Sequence, residues 1–268
     1  MGSLTSLGAM ATADAEQGIM TAASMKFQTD SANNSLQVSA SRRMSAGLSF
    51  GVNYTFSKTM DTVGGGTPQD SYQPKLDVGL SGIHRAHLLN FNYIYTLPFF
   101  ARSSNHAARL ILGGWEISGV TAMQSGAPAS VTVPIDIGRI GASSARASVT
   151  GNPNLSGGDR TPARWFDTQV FVNPALMPPG VWGNSGRNIL IGPGFQNWDL
   201  SLLKSIPLNE RRKLQFRAES FNIFNHTNFT GIGTTVRVDA SGNPTGGFGS
   251  VNAAGPGRVL SLGLKLLF

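Results

Sequence analysis

LSLGLKLLF, residues 260–268 at the end of the 268-residue chain, alternates bulky apolar residues with small or charged ones. Ser261, Gly263 and Lys265 share one parity. The other parity carries Leu260, Leu262, Leu264, Leu266 and Phe268. Because side chains of a β-strand point to opposite faces in turn, this period of two predicts a strand with one apolar and one polar face.

The same alternation recurs at residues 48–57, 89–97, 198–202 and 214–219, with weaker cases at 36–40 and 109–124. In the segment 109–124 the apolar parity changes across Gly113-Gly114, which predicts a β-bulge. Phe221 and Ile223 are out of phase with Leu214 and Phe216, so that strand either bulges or ends with its apolar groups turned inward. These patterns predict about seven strands from residue 33 onward, with residues 20–28 as a candidate eighth.

Composition excludes several classes of protein. Charged residues make up 13% of the chain, against roughly 25% in a typical soluble domain. No apolar run approaches the ~18 residues of a transmembrane helix. There is no cysteine, so disulfides and thiolate metal sites are excluded. The net charge is +7 and the pI is about 10.1, but the cations are scattered, so we expect no nucleic-acid partner.

Connection lengths alternate along the chain. The short connections are predicted at residues 42–47, 98–108 and 207–212, and the long ones at 58–83, 125–196 and 225–256. Outer-membrane barrels have short periplasmic turns and long extracellular loops. The predicted fold is therefore all-β, an antiparallel transmembrane β-barrel segment of seven to eight strands, spanning residues 33–268. Residues 1–32 are expected to hold one strand or to be disordered.

Several quoted stretches resemble one known family. GRNILIGPGFQNWDLSLLKSIPL (186–208) and LQFRAESFNIFNHTNF (214–229) are similar to the C-terminal barrel of Oar-like TonB-dependent receptors of Acidobacteria and related bacteria. Phe221–Asn225 resembles the Asn-Leu-Phe-Asn/Asp motif of the penultimate strand in those receptors. The segments 36–61, 84–99, 113–128 and 160–174 match in the same order.

This resemblance covers about residues 33–268 and implies a barrel of about 22 strands, of which this chain would supply the last third. The carboxypeptidase-regulatory-like domain, the TonB box and the plug have no counterpart here. The first residues, MGSLTSLGAMATADAEQ, also lack the basic and apolar regions of a signal peptide. We therefore expect the chain to be part of a longer receptor, or to be read from an internal start.

Three sets of residues are candidate functional elements. Leu262, Leu264, Leu266 and Phe268 resemble the terminal signal that barrel-assembly machinery reads by strand addition; the alternative is an ordinary last apolar strand. Asp199, Arg217, Glu219 and Lys265 are expected to face the lumen. The third set is an aromatic girdle at the membrane interfaces, consisting of Tyr54, Tyr93, Tyr95, Trp115 and Trp198.

No catalytic motif is recognisable, so we expect no enzyme, no cofactor and no metal site. On a strand, His84 and His87 would point to opposite faces, which excludes a two-histidine site unless they lie in a loop. The expected partners are outer-membrane lipid, the barrel-assembly machinery, an unidentified transported substrate, and TonB only through the missing plug. The expected location is the outer membrane of a Gram-negative cell.

Two alternatives to a receptor segment stay open: a self-contained small porin or adhesion barrel, and a secreted soluble β-sandwich that binds a ligand. Loops 58–83 and 125–196 are polar and glycine-rich and identify no ligand. The inward faces are rich in Ser, Asn, Thr and Gly, whereas a small barrel fills its interior with side chains. We therefore expect that the chain alone does not close into a stable pore.

Overall fold

A meander of long antiparallel strands forms the main sheet of the computed structural model, which describes residues 19–26, 32–62, 69–70, 73–100, 103–134, 145–178 and 180–268. The long strands run in chain order across the sheet as β1 (Ile19–Lys26), β2 (Ala32–Ser45), β3 (Leu48–Asp61), β5 (His87–Thr96), β6 (Trp115–Gln124), β11 (Phe195–Pro207), β12 (Lys213–Phe221) and β15 (Val259–Leu267). Every neighbouring pair is antiparallel.

Short strands lie in the connections. They are β4 (Gly79–Leu80), which pairs with β3, then β7 (Pro128–Ala129), β8 (Thr132–Val133), β9 (Ala145–Arg146), β10 (Leu190–Ile191), β13 (Phe229–Ile232) and β14 (Val251–Ala254). One α-helix, α1, spans His106–Leu112, and 3-10 helices span Pro74–Asp77 and Pro174–Leu176. None of the helices in the described ranges has the length and apolarity needed to cross a membrane.

The pairing registers align the predicted faces across the sheet. One row of paired residues runs Leu48, Tyr95, Ile117, Leu202, Ala218, Leu262 from β3 to β15. The parity of this row contains most of the bulky apolar residues of the long strands from β2 onward. The opposite parity contains Asn53, Asn92, Ser118, Ser201 and Glu219, together with a few apolar residues such as Ile94 and Val120. We call these the apolar face and the polar face. The predicted all-β, antiparallel arrangement is confirmed.

The tightest connection is the turn Ala46-Gly47 between β2 and β3. Both residues have positive φ, 51° and 79°, the combination that a two-residue type I′ hairpin turn requires. A Cβ on Gly47 would lie 2.8 Å from the Thr96 carbonyl oxygen, so glycine also permits β5 to approach the turn closely.

The predicted strand at residues 109–124 is wrong in its first part. Arg109–Leu112 belong to α1, and β6 begins only at Trp115. Asn105 caps the helix, because its side chain accepts a hydrogen bond from Ala108 N at 3.2 Å. The parity change between Leu112 and Trp115 therefore marks a change from helix to strand and not a β-bulge, and Gly114 with φ of 69° makes the transition.

The end of β12 decides between the two alternatives for Phe221 and Ile223. The strand ends at Phe221, whose side chain shares the polar face with Arg217 and Glu219. Asn222 and Asn225 then adopt left-handed conformations, with φ of 53° and 51°. Asn222 stabilises this bend, since its side chain both donates to His226 O and accepts from His226 N.

The sheet is open in the part of the chain that the structure describes. β1 and β15 lie at opposite ends of the strand order, and no pairing joins them. β1 coincides with much of the candidate eighth strand at residues 20–28, while residues 1–18 and 27–31 lie outside the described part of the chain.

Candidate functional site

The apolar face carries all five residues of the predicted girdle, Tyr54, Tyr93, Tyr95, Trp115 and Trp198. Tyr95 and Trp115 lie next to the short connection between β5 and β6, whereas Trp198 lies near the start of β11, at the loop end. The shared face and the two levels are what an aromatic girdle requires. Its role at membrane interfaces stays a prediction.

Lys204 interrupts the apolar face, and the sequence analysis missed it. It pairs in register with Trp115 and Phe216, and only 4% of its surface is exposed. Its ammonium group donates a hydrogen bond to the Gly113 carbonyl and lies 5.5 Å from the centroid of the Trp115 ring. A buried cation on such a face needs these partners, because an unpaired charge in an apolar setting is costly.

The predicted assembly signal lies on the exposed edge of the sheet. Within the described residues β15 pairs only with β12, and the side chains of Leu262, Leu264 and Phe268 are 75%, 70% and 96% exposed. Leu262, Leu264 and Leu266 are on the apolar face, and Phe268 follows the last residue of β15. An unpaired edge with alternating apolar side chains is a suitable template for strand addition. Recognition by assembly machinery stays a prediction.

The polar face holds all four predicted lumen residues. Arg217 Nε lies 3.3 Å from Glu219 Oε1, and Lys265 is opposite Gln215 in the neighbouring strand. Asp199 Oδ1 accepts hydrogen bonds from Asn197 Nδ2 at 2.8 Å and from Asn222 N at 2.9 Å. Asp199, Arg217 and Glu219 also line an open cavity of about 400 Å³ on this face. These groups can bind water and polar solutes along the sheet.

The three long connections pack together at one end of the sheet into a unit that we call the loop lobe, comprising the described parts of residues 62–86, 125–194 and 222–258. Its centre is the hydrophobic core of the described residues: Val131, Val133, Ala145, Ala147, Phe166, Phe171, Leu190, Val236 and Phe248. Phe166, Phe171 and Phe248 contact one another edge to face, with ring centroids 5.4–5.9 Å apart. This core belongs to the loops and not to the sheet.

Two ion pairs attach the second long connection to its neighbours, one to the first long connection and the other to the end of β3. Arg146 pairs with Asp77, and both side chains are almost fully buried. Arg146 also donates to Leu76 O at 3.0 Å and to Ser185 O at 2.9 Å. Arg187 pairs with Asp61 at the end of β3. The Arg146 pair joins residues 69 positions apart in the sequence, and the Arg187 pair joins residues 126 positions apart.

Backbone hydrogen bonds attach the third long connection to the second. Trp165 N donates to Gly249 O and Val251 N donates to Pro162 O, both at 2.7 Å. Thr132 forms a parallel bridge with Thr235, which places Val236 in the core. The loop lobe is therefore held by hydrogen bonds, buried ion pairs and apolar packing together.

The loops at residues 58–83 and 125–196 were described from the sequence only as polar and glycine-rich, and the packed core to which they contribute was not predicted. Short apolar alternations, Val131 with Val133 and Ala145 with Ala147, were a detectable signal of strands in the second loop. The pair Trp165-Phe166 was a second signal, because bulky aromatic residues in an otherwise polar loop generally mark a packed site. Glycine and polar residues between these positions concealed the pattern.

A cavity of about 630 Å³ lies where the loop lobe meets the apolar face. Tyr54 and His87 of the sheet form one wall, and Tyr54 Oη lies 2.7 Å from His87 Nδ1. Trp165 and Phe229 of the loop lobe form another wall, with rings edge to face at 6.5 Å. The size and the aromatic walls are those of a small-molecule site.

The two histidines considered for a metal have separate partners. His84 lies in the loop before β5, where its Nδ1 accepts from Thr59 N at 3.2 Å, while His87 contacts Tyr54. Burial, together with Arg85 and Lys58, holds the pKa of His84 below its ordinary value. No group of three or more metal-ligating side chains occurs in the described ranges.

A sheet that is open within the described residues, with one predominantly apolar face and with long connections gathered at one end, has the architecture of an outer-membrane β-barrel wall. The outer membrane beta barrel domain family matches this chain over residues 5–261, so the chain belongs to that family. Membership of this family points to the outer membrane. The comparisons with curated proteins and with solved structures each gave no match.

Proposed function

We propose that this chain is the C-terminal part of the barrel of an Oar-like, TonB-dependent outer-membrane receptor of a Gram-negative cell. In this role the sheet is a section of barrel wall, and the loop lobe is part of the extracellular entrance for a transported substrate. Outer-membrane lipid and the barrel-assembly machinery are its partners, and TonB acts through a plug supplied elsewhere in the protein. The chain contributes binding and passage without a catalytic step.

The observation that carries the proposal is a sheet that is open within the described residues and whose polar face presents many small side chains. Along β3, β5 and β11 that face presents residues such as Ser49, Asn53, Asn92 and Ser201. A small closed barrel needs larger side chains to fill its interior, whereas a wide barrel leaves room there for a plug or water. Within the described residues no strand pairs with the outer edge of β1, so further strands of a wider barrel can pair there.

The loop lobe supports the receptor role over a simple porin segment. Its core, its two ion pairs and its backbone hydrogen bonds hold the three long connections in one arrangement at the loop end of the sheet. A pre-organised surface loses less conformational entropy on binding than separate flexible loops would.

The experiment is to insert an epitope tag between Gly157 and Gly158 in the chromosomal gene and to blot outer-membrane fractions. Both glycines border open space, because an added Cβ would meet nothing within 4 Å. We expect a product much larger than 28.3 kDa, preceded in the genomic DNA by a plug-encoding segment, and labelled by antibody on intact cells. A heat-modifiable product of about the chain's own mass, with a signal peptide directly upstream, would instead support a small porin or adhesion barrel.

A detergent-partitioning experiment separates both barrels from the soluble alternative. A barrel enters the detergent-rich phase because its apolar face needs cover, whereas a secreted β-sandwich stays in the aqueous phase. Recovery of the tagged protein in the aqueous phase would contradict the proposal.

A further inference from the structure

The end of the sheet opposite the loop lobe exposes bulky apolar side chains in each of its three short connections. Met44 precedes the β2–β3 turn, Phe99 and Ile111 lie in the β5–β6 connection, and Leu208 lies in the β11–β12 connection. Their exposed fractions are 55%, 61%, 64% and 54% in that order. Such side chains at the rim of a membrane protein fit the boundary between headgroups and acyl chains.

Cations accompany these apolar side chains. Arg42 and Arg43 adjoin Met44, Arg109 is in α1 beside Ile111, and Arg211, Arg212 and Lys213 follow Leu208. None of these six forms an ion pair among the described residues. Glu210 is the one acidic residue in the sequence of residues 42–47, 97–114 and 207–213. We call this combination of side chains the turn-end surface.

The loop end has a different charge arrangement. There Arg146, Arg187 and Arg164 pair with Asp77, Asp61 and Asp167. Three loop-end arginines are therefore neutralised within the protein, whereas none of the six cations of the turn-end surface forms an ion pair among the described residues, so these cations are available to an external anion. Because the apolar side chains are interspersed with them, the complementary partner is anionic and amphiphilic.

We propose that the turn-end surface binds anionic phospholipid, with its cations on the headgroup phosphates and its apolar side chains among the upper acyl chains. The inference rests on the membership of an outer-membrane family, which places the short connections at one membrane surface. It does not depend on the proposed receptor role. Each cation near an anionic surface strengthens binding about fivefold at low ionic strength.

The test uses the intact protein purified from outer membranes and native mass spectrometry with added phosphatidylglycerol or phosphatidylcholine. The variant Arg43→Gln/Arg211→Gln/Arg212→Gln removes three exposed cations, so the preference for phosphatidylglycerol should fall by roughly 100-fold at low salt. A matched control, Lys58→Gln/Lys75→Gln/Arg237→Gln, removes three exposed cations at the loop end and should leave the preference unchanged. Heat-modifiable mobility verifies that each variant is folded.

Two further measurements need no charge variant. The preference of the unmodified protein should largely disappear in ~1 M salt, where the Debye length is about 3 Å, and 10 mM inorganic phosphate should not replace the lipid. The variant Phe99→Ser/Ile111→Ser should weaken both lipids alike, because it removes apolar contact only. Equal binding of the two lipids by the unmodified protein, equal losses in both triple variants, or displacement by phosphate would overturn the proposal.

Discussion

The buried Asp77–Arg146 pair gives the sharpest prediction about the loop lobe. Asp77 is 2% exposed, and its Oδ2 also accepts a hydrogen bond from Gln69 N at 3.1 Å. In Asp77→Ala the guanidinium of Arg146 stays in the same enclosed position without its counter-ion. Breaking a buried ion pair in this way costs about 3 to 5 kcal/mol, which should release the first long connection from the second.

The release should be visible by hydrogen exchange of the protein in detergent micelles. At 1.4 kcal/mol for each factor of ten, a loss of about 3 kcal/mol raises the open population of the first long connection roughly 100-fold. Peptides covering residues 69–81 should exchange faster by that factor, and peptides from the middle of β3 should not change. The sheet serves as the internal reference because its hydrogen bonds do not involve the ion pair.

Asp167→Ala is the matched control. Its partner Arg164 is 57% exposed, and exposed pairs contribute about 0 to 1 kcal/mol, so little acceleration is expected. The double variant Asp77→Leu/Arg146→Met should cost less than Asp77→Ala, since no charge is left buried. If Asp77→Ala and Asp167→Ala accelerate exchange equally, the ion pair does not hold the first connection in place and the reasoning fails.

Three other predictions concern assembly, pH and closure. Phe268→Glu in the full-length protein should reduce outer-membrane insertion far more than Lys265→Glu. A charge near a membrane interface costs only about 0 to 1 kcal/mol, so a large loss would come from failed recognition of the terminal strand. Equal heat-modifiable bands for the two variants would remove the case for an assembly signal. The pKa of His84 is lowered in the folded protein, so the loop is stabilised by the neutral imidazole. This contribution is complete above about pH 6.5 and is lost as the pH falls below that value. Amide hydrogen exchange near Thr59, corrected for intrinsic rates, should therefore rise between about pH 7 and 5. His84→Asn should flatten that dependence, and a profile unchanged by the substitution would assign it to another group. The isolated chain should show no discrete channel conductance in planar bilayers, and a well-ordered eight-stranded pore would contradict the proposed wide barrel.

Much of the sheet could be predicted because strand periodicity is a local property. The alternation of Leu260 to Phe268, and of Leu48 to Phe56, shows directly which side chains share a face. The pairing registers then keep the apolar sets together from strand to strand, since a slip of one residue would exchange the two faces. The grouping of Asp199, Arg217, Glu219 and Lys265 on one face follows from the same rule.

The segment around α1 could not be predicted by that rule. Leu110 and Leu112 have the spacing of a strand, but Asn105 caps a helix and the two alanines at positions 107 and 108 favour it. Over one or two turns, apolar spacing does not distinguish a helix from a short strand. Capping, which depends on the local backbone, decided the structure there.

The sequence by itself determined the two faces of the sheet, the alternation of short and long connections, and the face on which each predicted girdle, lumen and assembly-signal residue lies, because each depends on neighbours a few residues apart. Only the tertiary structure decided that the long connections form a packed lobe. Val131, Phe166 and Val236 belong to separate parts of two connections, and Asp77 meets Arg146 across 69 residues of chain. Those residues meet because the antiparallel sheet brings the ends of the three long connections to one end, where apolar burial and paired charges can offset the entropy of ordering them.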